Sequence, residues 1–254
     1  MLIDTHAHIY TIDFSDDRDT VIAEAVKNGV CKIIMPNIDA ASVSDVVQAA
    51  GRYPGICYPL MGLHPSSVNL NYRQELNSVG DWLSKYPFYG IGEIGMDLYW
   101  DRSFRAEQED AFRQQLKMAR SCKLPVVIHV RESFQEVCSI LEEEQDGSLT
   151  GIFHCFSGNG SDAAKIVDLG FYLGIGGVVT YKNSPLPETL KEVDVKNLVL
   201  ETDAPWLSPV PRRGKRNESS FLIYTAQKVA EIYGLLPEEV AAVTTRNARE
   251  LFHI

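Results

Sequence analysis

The sequence predicts an α/β chain folded as one (β/α)8 TIM barrel, on three observations. Short β-type apolar runs alternate with amphipathic helical stretches from one end to the other, and there are eight such runs. They recur roughly every 25 to 35 residues, which is the length of one βα unit with its crossover helix. A length of 254 residues is also the usual size of one closed barrel.

The first strand is LIDTH (2–6). The helix behind it carries Val21 and Ala25 on one face and stops at Asn28 and Gly29, where glycine takes the left-handed cap. CKIIMP (31–36), YPLMG (58–62) and YGIGE (89–93) follow as strands two to four. Phe112, Leu116 and Ala119, at i, i+4 and i+7, mark the buried stripe of the next helix. PVVIHV (125–130) and GIFHC (151–155) are strands five and six, and the helix after them closes on Asp168, Leu169 and Gly170. FYLGIG (171–176) and NLVLET (197–202) complete the set. Pro237 then opens a C-terminal helix, with Glu238 and Glu239 at the positive end of its dipole. Nothing in the composition marks a linker or a boundary, so one domain is expected over 1–254. The longest irregular stretch is APWLSPVPRRGKRNESS (204–220), and ordered loops of that length tend to carry function.

With 45% hydrophobic and 23% charged residues, the chain can bury a core without disulfides or a structural metal. Its five cysteines, Cys31, Cys57, Cys122, Cys138 and Cys155, form no C-x-x-C pair and read as reduced thiols. No signal-like or membrane-length apolar run is present, so a cytoplasmic location is expected. A net charge of −10 argues against a protein that coats nucleic acid, while leaving room for a local basic patch.

The strand assignment sends the ionisable residues to one place. His6 and His8 end strand one, Glu93 strand four, His129 strand five and His154 strand six, and Asp203 follows strand eight. The carboxyl ends of barrel strands open on one face, where barrel enzymes carry their chemistry. Residues i and i+2 of a strand point the same way, so His6 and His8 can both grip one ion. Each histidine alone reads equally well as a hydrogen-bonded core residue, and it is the joint placement that points to a ligand set. Without a cation, converging imidazoles and carboxylates in an apolar surround would be poorly matched. The six residues therefore predict one or two divalent ions, with Glu93 as a bridge. Imidazole donors suit zinc, manganese or iron better than magnesium, which prefers oxygen, and the choice among Mg, Zn and Mn stays open. Cys155 is unsuited to act as a nucleophile with His154, because neighbours on a strand face opposite sides. Asp4 either orients a ligand or closes the barrel bottom. His64, in GLHPSS, is placed to touch substrate, whereas His253 is inert.

DTHAH (4–8), GLHP (62–65), GEIGMD (92–97), a Q-x6-Q helix running into LPVVIHVRES (124–133), FHCFSG (153–158), ETDAPWLSP (201–209) and RGKRNE (213–218) together resemble the TatD-type metal-dependent deoxyribonucleases of the amidohydrolase superfamily. The match runs in order along the whole chain. It departs at Met96 and Leu98, where the family often reads GLDY, and at Ser219, where it often has proline. The resemblance implies a barrel that hydrolyses phosphodiester bonds of DNA as a 3′ to 5′ exonuclease, with His6, His8, Glu93, His129, His154 and Asp203 as metal ligands. A carboxylated lysine would bridge the metals in other superfamily members. Glu93 stands in that place here, which argues against a dihydroorotase-like enzyme.

On this reading Asp203 is both ligand and catalytic base, and Glu93 is the catalytic bridge. His64 and Arg131 are expected to hold nonbridging oxygens. Arg212, Arg213, Lys215 and Arg216 would guide phosphates while Trp206 or Tyr99 stacks on a base. The partner expected is DNA, single-stranded or with a free 3′ end, with no membrane and no obligate protein partner. Two rivals are a small-molecule hydrolase of an ester, lactone or amide, which would have no use for the basic loop, and a metal-binding scaffold, which would have no use for a base at Asp203.

Overall fold

The computed structural model describes residues 1–254. Every predicted run holds a strand, most of them shorter than expected: β1 (Leu2–Asp4), β2 (Val30–Met35), β3 (Cys57–Pro59), β4 (Ile91–Asp97), β5 (Val126–Arg131), β6 (Gly151–Phe153), β7 (Phe171–Ile175) and β8 (Leu198–Leu200). They pair in chain order and in parallel, β1 to β3 as one sheet and β4 to β8 as another. Two seams close these sheets into a barrel. At one, Met61 bridges Ile91, with Met61 N–H donating to Gly90 O (3.1 Å) and Gly92 N–H to Met61 O (3.0 Å). At the other, Ala7 bridges Ala204, with Thr5 N–H donating to Leu200 O (3.0 Å) and His8 N–H to Ala204 O (2.7 Å).

Eight helices each follow their own strand: α1 (Arg18–Lys27), α2 (Val43–Arg52), α3 (Tyr72–Lys85), α4 (Arg105–Cys122), α5 (Phe134–Glu144), α6 (Gly160–Asp168), α7 (Leu186–Leu190) and α8 (Leu222–Tyr233). Gly29 and Gly170 adopt φ of +85° and +86° just past α1 and α6, a backbone that residues with a Cβ rarely take. A ninth helix, α9 (Pro237–Phe252), starts at the predicted proline. None of these helices is long and apolar enough to cross a membrane.

Apolar packing falls into an outer and an inner layer. The larger layer lies between strands and helices, with Ile33, Ile94, Ile128 and Leu173 meeting Phe112, Leu116 and Val229. Inside the barrel, Ile3, Ile34, Leu60, Val127, Ile152 and Val199 fill the lumen, and Leu251 and Phe252 of α9 plug its amino end. Asn247 fastens that plug by donating to the carbonyls of Lys196 and Leu198 (2.8 Å each). Burying a side chain such as Phe252 contributes about 1.5–3 kcal/mol. With the amino end closed by hydrocarbon, polar inward-facing side chains have room only at the carboxyl end.

Two strand limits differ from expectation in ways that matter for that end. β1 stops at Asp4, so His6 and His8 lie beyond the ladder. The cause is the Asp4 carboxylate, which accepts from Thr202 Oγ1 (2.6 Å), Thr202 N–H (2.9 Å) and His6 N–H (3.3 Å) and replaces strand pairing there. Asp4 thus sits at the carboxyl end and not at the barrel bottom. β4 runs on to Asp97, so Glu93 is its third residue and not its last. The extension is held on one side by β5, as Asp97 pairs with Arg131. On the other side, the Gln108 side chain of α4 accepts from Asp97 N–H (2.9 Å) and donates to Asp97 O (3.1 Å).

Candidate metal centre at the carboxyl end of the barrel

Four donor atoms meet where the two sheets join. His6 Nε2 lies 3.1 Å from His8 Nε2, 3.2 Å from Glu93 Oε2 and 3.6 Å from Asp203 Oδ1. His8 Nε2 lies 3.7 Å from the same Glu93 oxygen and 3.8 Å from the same Asp203 oxygen. The elements around them aim each side chain. Glu93 N–H donates to Asn37 O (3.0 Å) at the end of β2. Asp203 N–H donates to His6 O (2.9 Å), and Asp203 adopts φ +58°, a left-handed turn that aspartate tolerates better than most residues.

Hydrogen bonds decide what each imidazole offers. Tyr10 OH donates to Pro36 O (2.9 Å), so it accepts from His8 Nδ1 (3.0 Å), and His8 Nε2 carries a bare lone pair. Lone pairs from His8, Glu93 and Asp203 thus converge in a buried space and repel one another unless a cation lies between them. Donors about 2.1 Å from a common centre in a regular tetrahedron stand about 3.4 Å apart. The five separations that involve His6 or His8, 3.1 to 3.8 Å, bracket that value. The residues present therefore fit a divalent ion.

Glu93 has a second oxygen on a second group. Its Oε1 is 2.8 Å from His129 Nδ1, 2.8 Å from His154 Nε2 and 3.4 Å from His64 Nε2. His129 Nε2 meets Asp97 Oδ2 at 3.1 Å, which leaves Nδ1 as the free face of the ring. His154 lies directly after β6, its Nδ1 3.4 Å from Glu201 Oε1, its ring stacked on His6 with centroids 3.9 Å apart. His64 differs from these two. Its Nδ1 accepts from Ser66 N–H (3.0 Å), so the proton of the neutral ring sits on Nε2 and points at the site as a donor.

Burial opposes the charge on Glu93, yet His154, His64 and His6 hold its carboxyl well below the usual range. Burial likewise opposes charge on His154, and Glu93 and Glu201 nevertheless raise it well above an ordinary imidazole. Burial, reinforced by His6, drives His8 well below the ordinary value. Burial lifts Asp203 to about 6, against the pull of His6 and His154. The Cys155 thiol, buried, is pushed up to about 12, which removes it as a nucleophile.

The residues proposed for substrate contact are less uniform. Trp206 is half exposed, with its ring edge-on to His8 at 5.1 Å. Arg131 is exposed and lies over Tyr99 (4.0 Å) and Trp100 (5.2 Å), themselves 53% and 74% exposed. The four cations of the β8 loop do not form one patch. Arg216 pairs with Asp17 (2.6 Å) and lies over Phe14, and Arg212 packs against Phe221, so both tie the loop down. Arg213 lies over Tyr181 (4.0 Å), and Lys215 is exposed. His253 caps α9 at the opposite end of the barrel.

Two residues escaped the sequence reading. Asp97 and Glu201, both buried, carry no signal of their own, but each stands within a motif, GEIGMD and ETDAPWLSP. Asp97 meets His129 Nε2 from the neighbouring strand, and Glu201 faces His154 from the end of β8. Glu201 accepts from Cys155 N–H (2.5 Å), which sets the turn after His154.

The sequence model of the family described as TatD related DNase matches residues 3–253. The uncharacterized metal-dependent hydrolase YabD of Bacillus subtilis is 36% identical over 255 residues and is covered, like this chain, over 100% of its length. The 3'-5' ssDNA/RNA exonuclease TatD of a Pantoea species is 30% identical over 259 residues, again across 100% of both chains. The solved structure of YJJV, a TatD homologue from Escherichia coli K12, superposes with a TM-score of 0.92 at 28% identity, over 100% of this chain and 98% of that one. A barrel matched from end to end, with His/Asp/Glu groups able to hold a divalent ion at its mouth, makes this chain a member of the TatD family of metal-dependent hydrolases, within the amidohydrolase superfamily.

Proposed function

We propose that the protein is a 3′ to 5′ exonuclease acting on single-stranded DNA or on a free 3′ end. The observation that carries this reading is Glu93, whose two oxygens face two separate donor groups, the arrangement that paired ions need to clamp both oxygens of an in-line displacement. Relatives named as 3'-5' ssDNA/RNA exonucleases match over the full length. Residues 1–254 act as one unit, without a protein partner, in the cytoplasm, where the five free thiols stay reduced.

His6, His8, Glu93 and Asp203 would hold one ion, and Glu93, His129 and His154 the other, with zinc or manganese suited better than magnesium by the nitrogen donors. A bound divalent ion supplies Lewis acidity toward a phosphoryl oxygen and makes a nearby water more acidic. Asp203 accepts the proton of the attacking water, and His64 Nε2–H donates to a nonbridging oxygen. Trp206 presents a ring face to the terminal base, a contact worth about 1–3 kcal/mol per base. The exposed pair Tyr99 and Trp100, backed by Arg131, offers a second platform on the other side of the mouth.

The test uses 5′-labelled single-stranded DNA with magnesium, manganese, zinc or chelator. Stepwise shortening from the 3′ end is expected, abolished by chelator and slowed about 10²–10⁴-fold in Asp203→Asn. Turnover confined to esters, lactones or amides would reassign the protein to small-molecule hydrolysis.

A further inference from the structure

Between the loop after β7 and the loop after β8 lies a cavity of about 360 Å³. Ser157, three residues past His154, lines one side, and Tyr181, Lys182, Asn183, Ser184 and Arg213 line the others. None of its nine lining residues is acidic, and two, Lys182 and Arg213, are cations. We propose that this cavity takes a second, non-scissile backbone phosphate of the nucleic-acid strand, an inference that rests on the nuclease reading above.

Its two cations are unpaired. The neighbouring Arg216 is neutralised by Asp17 and Arg212 is packed on Phe221, but Arg213 and Lys182 make no ion pair with a carboxylate. Arg213 Cζ lies 4.0 Å from the Tyr181 ring centroid, a contact that steadies the guanidinium, and its N–H donors suit paired phosphate oxygens. Lys182, adjacent to Tyr181, adds a point charge.

The walls are tied together and to the loop that carries Asp203. Tyr181 OH donates to Ser208 O (3.0 Å), and Val210 N–H donates to Thr180 Oγ1 (2.8 Å). Gly177 allows the close approach, since a Cβ there would stand 2.4 Å from Leu207 O. A phosphate in this cavity would be held at a set place relative to Asp203, so the pocket would register the strand for cleavage. The scissile phosphate itself must lie against Glu93 and Asp203, outside this pocket.

Binding of a fluorescent single-stranded oligonucleotide with phosphorothioate 3′-terminal linkages, which slow hydrolysis, to manganese-loaded protein tests the proposal. The double variant Lys182→Gln/Arg213→Gln, checked for an unchanged melting temperature, should bind about 10- to 100-fold more weakly. Its log–log salt slope should be shallower by about 0.7 for the one phosphate released. A methylphosphonate scan should find one internal linkage whose neutralisation weakens the wild type by a similar factor and leaves the double variant's affinity where it was. A double variant that binds like the wild type, or a scan in which every linkage affects both proteins alike, overturns the pocket. Wild type that binds and shows this coupling but hydrolyses no DNA leaves the pocket standing and removes the nuclease reading. Hydrolysis by a double variant of undiminished affinity does the reverse.

Discussion

His8 is the residue whose chemistry is most visibly set by a neighbour. Because Tyr10 OH gives its proton to Pro36 O, it can only accept from His8 Nδ1, and the opposite nitrogen must face the site unprotonated. Tyr10→Phe removes that acceptor and frees the ring to choose the wrong tautomer. Metal affinity should fall about 10- to 100-fold, as for other partners of ligating histidines, measured by competition with a chelator of known affinity. An unchanged affinity would mean that the ring is oriented by packing alone. Protonation gives a second expectation at this scale. An ion needs Asp203 as carboxylate and His154 with Nε2 unprotonated, while in the ion-free protein burial lifts Asp203 to about 6 and Glu93 and Glu201 raise His154. Both groups hold protons that the ion must displace, so affinity already falls as pH drops through the range of His154, which lies well above that of an ordinary imidazole. It falls more steeply through about pH 6 as Asp203 takes its proton, by up to about tenfold per pH unit for each proton. Calorimetry in buffers of different ionisation enthalpy should show protons released near pH 6. His6, His8 and Asp203 stand out in one-dimensional order because they follow within four residues of a strand end, whereas Glu93 lies inside β4 and stands out only as a lone carboxylate in an apolar run. The donor role of His64 does not stand out, since it depends on the Ser66 backbone folding back onto Nδ1.

At the scale of elements, α4 does more than cover β4. Gln115 accepts from Leu63 N–H (2.7 Å) and donates to Leu63 O (3.2 Å), and Gln108, two turns earlier, does the same for Asp97. Each primary amide stands in for a missing strand neighbour, one beside His64 and the other beside the Asp97 carboxylate that orients His129. Gln115→Leu keeps the volume and orphans a buried N–H and C=O, which should cost about 1–3 kcal/mol per group in denaturant unfolding. The same change should raise KM for DNA through His64 more than it lowers metal affinity. An equal effect on both would show that the helix serves stability only. The spacing Q-x6-Q was legible in the sequence, but its meaning was not, because the backbone groups it serves belong to positions 52 and 11 residues away. Strand ends were misplaced for a related reason. Side-chain carboxylates and amides, from Asp4 to Gln108, complete the backbone pairing there, and periodicity of apolar residues is blind to them.

For the whole molecule, the two sheets meet at seams held by single bridges, Met61 with Ile91 and Ala7 with Ala204, while β4 to β8 run as continuous ladders. The donors straddle both seams. His6 and His8 follow β1 of the three-stranded sheet, whereas Glu93 and Asp203 belong to β4 and the end of β8 in the five-stranded one. An ion bound by all four would clamp one sheet to the other at the mouth, in a barrel whose amino end is already plugged by Leu251 and Phe252. Any ligand selective for the folded state stabilises it, by about 2.7 kcal/mol at a hundredfold excess over Kd. The clamp predicts where that stabilisation appears. On adding manganese or zinc, hydrogen exchange should slow most at the seam amides of Thr5, His8, Glu93 and Asp203, whose acceptors lie across the junction on Leu200, Ala204, Asn37 and His6. Amides inside the β5–β6 ladder, such as Ile152, should gain protection only through the global term. In Glu93→Gln, which keeps the shape but loses the charge shared between the two groups, the seam gain should vanish even at saturating ion. Uniform protection across both sheets would show that the ion stabilises the barrel without joining its halves.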